Sequence, residues 1–130
     1  MLEDLTCTYT YIDELSLSRN NILTSLNCSE NYIDSLDISS CLLLSTLNVG
    51  RNRLEALDVS RHASLKELNC WSNDIIELDL DRCRTLTKLN CQRNNLSELD
   101  LSACTNLTEV NCKENNLTAL DVHGLTQLDY

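Results

Sequence analysis

The chain has 130 residues and a formal net charge of −10, with no Pro, no Phe and only two Gly. This acidic balance argues against unaided binding to nucleic acid or to an anionic membrane, because both require a positive surface. The sequence has no apolar run of about 18 residues and predicts no membrane insertion. Few Gly and Pro residues indicate turns built from Asn, Asp and Ser, or one turn made many times.

A 21-residue repeat runs through the chain without insertion or deletion. Apolar columns follow the first Leu of each repeat at fixed distances, and the consensus is L-x-x-L-x-C-x-x-N-x-L-x-x-L-D-L-S-x-C. This framework Leu stands at Leu2, Leu23, Leu44, Leu65, Leu86, Leu107 and Leu128. The period and the pattern are those of a leucine-rich repeat.

One repeat has too few apolar groups to bury a core alone, so the repeats must stack as coils that touch only their neighbours. We predict a single domain, residues 1–130, of six coils that begin at residues 2, 23, 44, 65, 86 and 107, plus a partial terminal coil. The L-x-C stretch of each coil predicts a short strand, and successive strands should pair in parallel about 4.8 Å apart. The L-D-L-S half predicts extended or 3₁₀ backbone, because an α-helix would need a longer repeat.

The motif L-N-C-x-x-N-x-L-x-x-L-D-L-S, at Leu89 to Ser102, resembles the cysteine-ladder repeats of bacterial internalin-like surface proteins. The resemblance covers residues 2–128, and Val49 is a departure because it interrupts the Cys column. It implies a curved solenoid with a concave parallel sheet, a role in adhesion or recognition, and no catalytic residues. The expected fold is an α/β-class repeat solenoid, mostly β and irregular, with a right-handed coil and extended or 3₁₀ convex segments.

The compartment stays open at this point. Met1 to Asp4 lack the basic and apolar regions of a signal peptide, so we expect a cytoplasmic protein if the chain is complete. If the chain is an excerpt, the resemblance implies a cell-surface or secreted parent.

The eight cysteines allow a structural, a metal or a redox interpretation. No C-x-x-C knuckle occurs, so the spacing disfavours zinc, and in-register strands hold equivalent Cβ atoms too far apart for a disulfide. We therefore expect small buried apolar side chains, with no metal and no cofactor, and the redox interpretation is the weakest. The Cys ladder consists of Cys7, Cys28, Cys70, Cys91 and Cys112.

Asn and Asp columns accompany the apolar ones. The first Asn column should turn inward after the strand and bond unpaired main-chain groups; it consists of Asn31, Asn52, Asn73, Asn94 and Asn115. A second column, which includes Asn69 and Asn90, should face outward and form a hydrogen-bonded ladder across the strands. An Asp column that includes Asp37 and Asp58 predicts a solvated face with local backbone capping.

Variable positions around each strand should form the concave face, where a partner would bind. They hold six basic and seven acidic residues, a net charge of −1, whereas the rest of the chain carries −9. Exposed Tyr, Trp and Arg are the usual hot-spot residues of interfaces. The candidate contact residues are Tyr9, Tyr11, Tyr32, Arg51, Arg53, Trp71, Lys88 and Arg93. For Trp71, packing at the edge of the sheet is an equally open interpretation.

We therefore expect a non-catalytic recognition module that binds a protein, or less readily a glycan. His62 and His123 lie in different columns without the partners of a catalytic triad, so no enzyme is expected. The alternative is a structural element whose coils stack end to end, because the last coil keeps an apolar edge that would allow self-association. The sequence alone does not separate these two functions.

Overall fold

The structure, a computed structural model, describes residues 2–129. These residues contain six strands of three residues each, and they form one parallel sheet in chain order. The strands are β1 (Asp4–Thr6), β2 (Ser25–Asn27), β3 (Thr46–Asn48), β4 (Glu67–Asn69), β5 (Lys88–Asn90) and β6 (Glu109–Asn111). Each strand residue pairs with the residue 21 positions further on, as between Leu47 and Leu68, so the repeat is also the register of the sheet.

The strands form because their side chains alternate between the core and the surface. In β3, Leu47 is fully buried, while Thr46 and Asn48 on either side of it are half-buried and project outward. The framework Leu columns and the ladder residues pack beneath the sheet into one continuous core. Each coil therefore buries its apolar groups against the coils before and after it.

A buried or half-buried Asn holds the bend that follows each strand from β2 to β6, and Thr10 stands at this position after β1. In the coil that begins at Leu65, Asn73 Nδ2 donates to the carbonyl of Cys70 in its own coil and to that of Val49 in the preceding coil, both at 3.1 Å. Its Oδ1 accepts from Leu54 N at 3.0 Å. The same three contacts are made by Asn31, Asn52, Asn94 and Asn115.

The residue before this Asn adopts left-handed backbone in every coil, although it is never Gly. Ser72 has a φ of 52° and Arg93 a φ of 55°. Such backbone costs a non-glycine residue about 1 kcal/mol or more, so neighbouring contacts must hold it in place. The Asn amide provides those contacts, because it fixes the carbonyls on both sides of the bend.

The second half of each coil is extended and then makes two successive turns. Cys41 N donates to Ile38 O at 2.8 Å, and Leu44 N donates to Cys41 O at 3.1 Å. These are the i→i+3 bonds of a 3₁₀ helix, but each stops after one turn, and residues 2–129 contain no helix. The expected extended backbone and parallel-sheet solenoid are confirmed. The Asp column caps these turns, as Asp37 Oδ1 accepts from Ser39 N at 2.9 Å.

The hydrogen bonds of the Asn side chain to two coils, here called the Asn clamp, give a stability prediction. Asn73→Asp keeps the shape of the side chain but removes both donated bonds and places a carboxylate against two carbonyl groups. We expect the free energy of unfolding to fall by about 3 kcal/mol, the usual cost of leaving buried polar groups unsatisfied. Urea denaturation measures this. Asn116→Asp is the control, because Asn116 is exposed; equal losses in both variants would contradict the clamp.

Candidate recognition surface

The outward side of the sheet and the bend after each strand form one surface, here called the sheet face. It carries the variable positions of the repeat, and all eight candidate contact residues lie on it. Because successive coils are in register, residues 21 apart in the sequence are neighbours on this surface. Each column of the sequence thus becomes a row of adjacent side chains.

Ion pairs join neighbouring coils along these rows. Arg51 Nη1 lies 3.1 Å from Glu30, Lys88 Nζ lies 3.2 Å from Glu109, and Arg93 Nε lies 2.9 Å from Glu114. The basic side chains are at least half exposed, so each pair contributes little to stability. The pairs do neutralise three of the four basic residues selected from the sequence.

Sequence reasoning missed the acidic partners of these pairs. Glu30, Glu109 and Glu114 are three of the seven acidic residues at the variable positions, and no particular base is assigned to them from the sequence. The signal was present, since each lies 21 residues from its base, which is one coil. A spacing of one repeat therefore makes opposite charges candidates for an ion pair, although Arg53 and Asp74 have this spacing and form none within residues 2–129.

Five of the eight candidates come together at the N-terminal coils, in what is here called the tyrosine–arginine cluster: Tyr9, Tyr11, Tyr32, Arg51 and Arg53. The rings of Tyr11 and Tyr32 lie 6.0 Å apart at 33°, and the Arg53 guanidinium lies 4.6 Å from the centre of the Tyr32 ring. These distances allow aromatic and cation–π attraction.

The cluster lines a shallow depression of about 370 Å³. Tyr9 and Tyr11 are 62% and 71% exposed, and Tyr32 is 44% exposed. The Tyr9 hydroxyl donates to Glu30, and this bond is the main reason that the pKa of Tyr9 is raised. Large aromatic surface is thus available beside oriented cations, a combination typical of interface hot spots.

Trp71 lies apart from the cluster, and its indole rests on Gly50 of the preceding coil. A Cβ atom at residue 50 would fall inside van der Waals contact with the Nε1 and Cδ1 atoms of the ring. Gly50 is therefore required for space. Trp71 is half-buried, which favours the packing interpretation left open by the sequence.

This contact gives a spectroscopic prediction. Gly50→Ala should lift the Trp71 ring from the sheet and expose it to water, because the added methyl group takes its place. We expect the tryptophan emission maximum to shift to the red, and the signal is specific because Trp71 is the single Trp. Ala119→Val, an exposed position in another coil, is the control. An unchanged emission in Gly50→Ala would show that the ring lies elsewhere.

The outward Asn column does not form the cross-strand ladder expected from the sequence. Each Oδ1 accepts instead from the backbone N–H two residues further on, as Asn48 does from Gly50 N at 3.1 Å. The bond is local because the chain bends directly after the strand and turns that N–H back toward the side chain. Among the side chains of this column, only that of Asn111 bonds across coils, where its Nδ2 donates to Gln92 Oε1 at 3.0 Å.

The cysteines form two buried columns. The eight thiols are free; Cys28, Cys70 and Cys91 of the ladder have no exposed surface, while Cys7 and Cys112 are partly exposed. The second column, Cys41, Cys83 and Cys104, is also fully buried. The expected ladder of small buried side chains is confirmed.

Burial makes the thiols in the middle of the ladder hard to ionise. Desolvation, reinforced by the adjacent ladder thiol, raises the pKa of Cys28 and Cys91 from 9.0 to about 12, and it raises that of Cys70 further. The thiolate is the nucleophile and the metal ligand, so a buried neutral thiol behaves as a small hydrophobe. Within residues 2–129, no group of three or more His, Cys, Asp and Glu residues is placed to hold a metal ion.

His62 takes the place of a cysteine in the second column. Its Nε2 donates to Ile38 O of the preceding coil at 3.3 Å. The Cys83 and Cys104 thiols donate to the equivalent carbonyls of their preceding coils, at Val59 O and Leu80 O. Its Nδ1 is buried without a hydrogen-bond partner among the described residues. The imidazole thus substitutes for a thiol donor, and it stands between the buried Cys41 and Cys83 in this column.

The thiols give a pH prediction. A group whose folded pKa is raised contributes stability that is complete below its unfolded pKa, 9.0, and is lost as the pH rises toward about 12. For Cys91 the loss should approach about 1.4 kcal/mol per pH unit above 9. Cys91→Val removes this titration, and Val49 shows that the column accepts Val.

We therefore expect the stability of the parent chain, measured in urea from pH 8 to 11, to fall more steeply than that of Cys91→Val. Comparison of the two cancels the titration of Lys and Tyr side chains, which they share. Parallel curves would contradict a buried neutral thiol at this position.

Residues 2–129 contain no helix long and apolar enough to cross a membrane.

Comparisons with known proteins identify solved structures that share this architecture. No protein-family model matches the chain, and no curated protein matches its sequence. Among solved structures, the functional domain of InlJ from Listeria monocytogenes, which includes a cysteine ladder, is 36% identical with a TM-score of 0.72, over 97% of this chain and 33% of that one. The internalin InlF of the same organism is 27% identical with a TM-score of 0.77, over 85% of this chain and 34% of that one.

A leucine-rich-repeat protein of Leptospira interrogans is 25% identical with a TM-score of 0.77, over 83% of this chain and 30% of that one. This chain thus spans about a third of the length of each of these structures. The similarity to internalins expected from the motif at Leu89 to Ser102 is confirmed.

Proposed function

We propose that this chain, a leucine-rich-repeat solenoid with an internalin-like cysteine ladder, is a non-catalytic module that binds a protein partner on its sheet face. Its structural neighbours include two internalins, one of them with a cysteine ladder, and a leucine-rich-repeat protein. A role in adhesion or host interaction is the finer form of the proposal, and the likeness to internalins supports it.

The observation that carries the proposal is the tyrosine–arginine cluster. Three tyrosines that the core does not require are exposed on the sheet face and lie around two arginines. Exposing large aromatic side chains to water has an unfavourable free energy. A partner that covers them removes this contact with water and so gains that free energy on binding. The backbone beneath is fixed, since Tyr32 N donates to Ile12 O and Arg53 N to Ile33 O in the preceding coils. A partner would therefore meet a pre-formed surface and lose little entropy in ordering it.

The absence of catalysis is part of the same proposal. Cys28, Cys70 and Cys91 are buried and hard to ionise, and His62 is buried in the second cysteine column, away from the sheet face. General acid–base or nucleophilic chemistry needs such groups within reach of a substrate. The accessible tyrosine and arginine side chains of the cluster are instead suited to contact with a protein partner.

The alternative function is end-to-end stacking of coils, and one observation favours it. In the coil that begins at Leu107, Leu120 and Val122 are 40% and 47% exposed, whereas Leu78 and Leu80 in the same columns are buried. A further coil placed against them would bury this surface. The sheet-face proposal and the stacking alternative use different surfaces, so variants separate them.

The proposal predicts which substitutions weaken partner binding. A photo-cross-linking residue at position 32 should capture a protein that the same residue at Asp79, an exposed position in the Asp column, does not capture. Tyr32→Ala and Arg51→Glu should then weaken binding of that protein by about tenfold or more each, as usual for hot-spot residues. Calorimetry measures the affinity, and circular dichroism checks that the solenoid remains folded.

Glu77→Gln is the control, because Glu77 is exposed in the second half of its coil. Unchanged affinity in both cluster variants would place the binding surface elsewhere. If the captured protein is another copy of this chain and Leu120→Lys abolishes the contact, the stacking alternative holds.

A further inference from the structure

Arg53 differs from the other basic residues selected on the sheet face. Arg51, Lys88 and Arg93 each pair with a glutamate one coil away, at 2.9 to 3.2 Å. Arg53 forms no ion pair and no side-chain hydrogen bond with residues 2–129, and it is exposed. A guanidinium carries five N–H donors, so Arg53 retains its full capacity to bind an acceptor.

The position of Arg53 is nevertheless fixed. Its guanidinium lies 4.6 Å from the centre of the Tyr32 ring, and that ring lies 6.0 Å from Tyr11. Stacking on an aromatic ring restricts the arginine side chain without using its N–H groups. An incoming ligand therefore finds an oriented donor set beside exposed apolar surface.

The free guanidinium of Arg53 selects the sign of that ligand. Glu30 carries −1, and Arg51 and Arg53 carry +1 each; Asp74, which follows Arg53 by one coil, carries −1 and forms no ion pair with Arg53 within residues 2–129. Because Glu30 neutralises Arg51, the positive charge is centred on Arg53. A single planar guanidinium matches a single carboxylate, which it binds through two parallel hydrogen bonds.

We propose that the tyrosine–arginine cluster recognises an acidic side chain of the protein partner. Its carboxylate binds Arg53, and the residue beside it packs against Tyr11 and Tyr32. This deepens the proposed function and rests on it. Single-stranded RNA is the competing ligand, because aromatic rings also stack with bases. It is disfavoured because a phosphate backbone needs several unpaired cations, and this cluster has one.

The test uses two peptides that differ only in charge, acetyl-Glu-Leu-Glu-Leu-amide and acetyl-Gln-Leu-Gln-Leu-amide. Each is titrated into ¹⁵N-labelled chain, and the Arg53 Nε–Hε and Tyr32 backbone signals are followed by NMR. We expect the Glu peptide to shift both signals and the Gln peptide to shift neither. Arg53→Gln should weaken binding of the Glu peptide by about tenfold, the usual effect of losing a charge-assisted hydrogen bond.

Three further variants sharpen the result. Arg93→Gln should weaken binding far less than Arg53→Gln, because Glu114 already occupies Arg93. Glu30→Gln should strengthen binding severalfold, since it releases Arg51 as a second cation. Arg61→Gln is the control, because this exposed arginine lies in the turn region outside the sheet face.

Equal shifts with the Glu and Gln peptides would overturn the proposal, as would shifts produced by oligo-uridylate and not by the Glu peptide. These outcomes leave the proposed function standing if a captured partner still depends on Tyr32. If no partner depends on the cluster, the proposed function fails whatever the peptides do.

Discussion

One side-chain amide in each coil after the first holds the solenoid together. It accepts from the main chain of the preceding coil and donates to the carbonyls of both coils, as Asn94 does to Cys70 and Cys91 at 3.0 Å. The bend that it fixes contains a non-glycine residue in left-handed backbone, which would otherwise be unfavourable. Because the same bond recurs at intervals of 21 residues, every coil is held in one register with the next.

This register turns columns of the sequence into rows on the surface, and the rows carry the functional chemistry. Tyr9, Glu30 and Arg51 occupy one column and form one hydrogen-bonded row across three coils. Tyr11, Tyr32 and Arg53 occupy another and form a stacked row beside it. Neither row follows from the chemistry of a single coil. A repeat protein can therefore change its recognition surface by substitution at a few columns while its core columns stay constant.

The interior follows the same logic with different residues. The thiols stack as small apolar groups, and Val49 and His62 show which of their properties the fold uses. Val49 fills a ladder position without a polar group, so packing alone suffices there. His62 keeps a donor toward the carbonyl of the preceding coil, so the second column also uses a hydrogen bond. The cysteines thus contribute through volume and weak donation, and their reactivity is suppressed by burial.

The sequence by itself determined the repeat, the strand positions, the buried columns and the set of residues on the sheet face. It could do so because a strict 21-residue period fixes which residues become neighbours before any coordinates exist. Only the tertiary structure decided which side chains in those rows contact one another. It paired Arg51 and Arg93 with glutamates, left Arg53 on a tyrosine ring, and set Trp71 on Gly50. These outcomes depend on rotamers and on distances of a few ångströms, whereas the period of a sequence specifies only which backbone positions are adjacent.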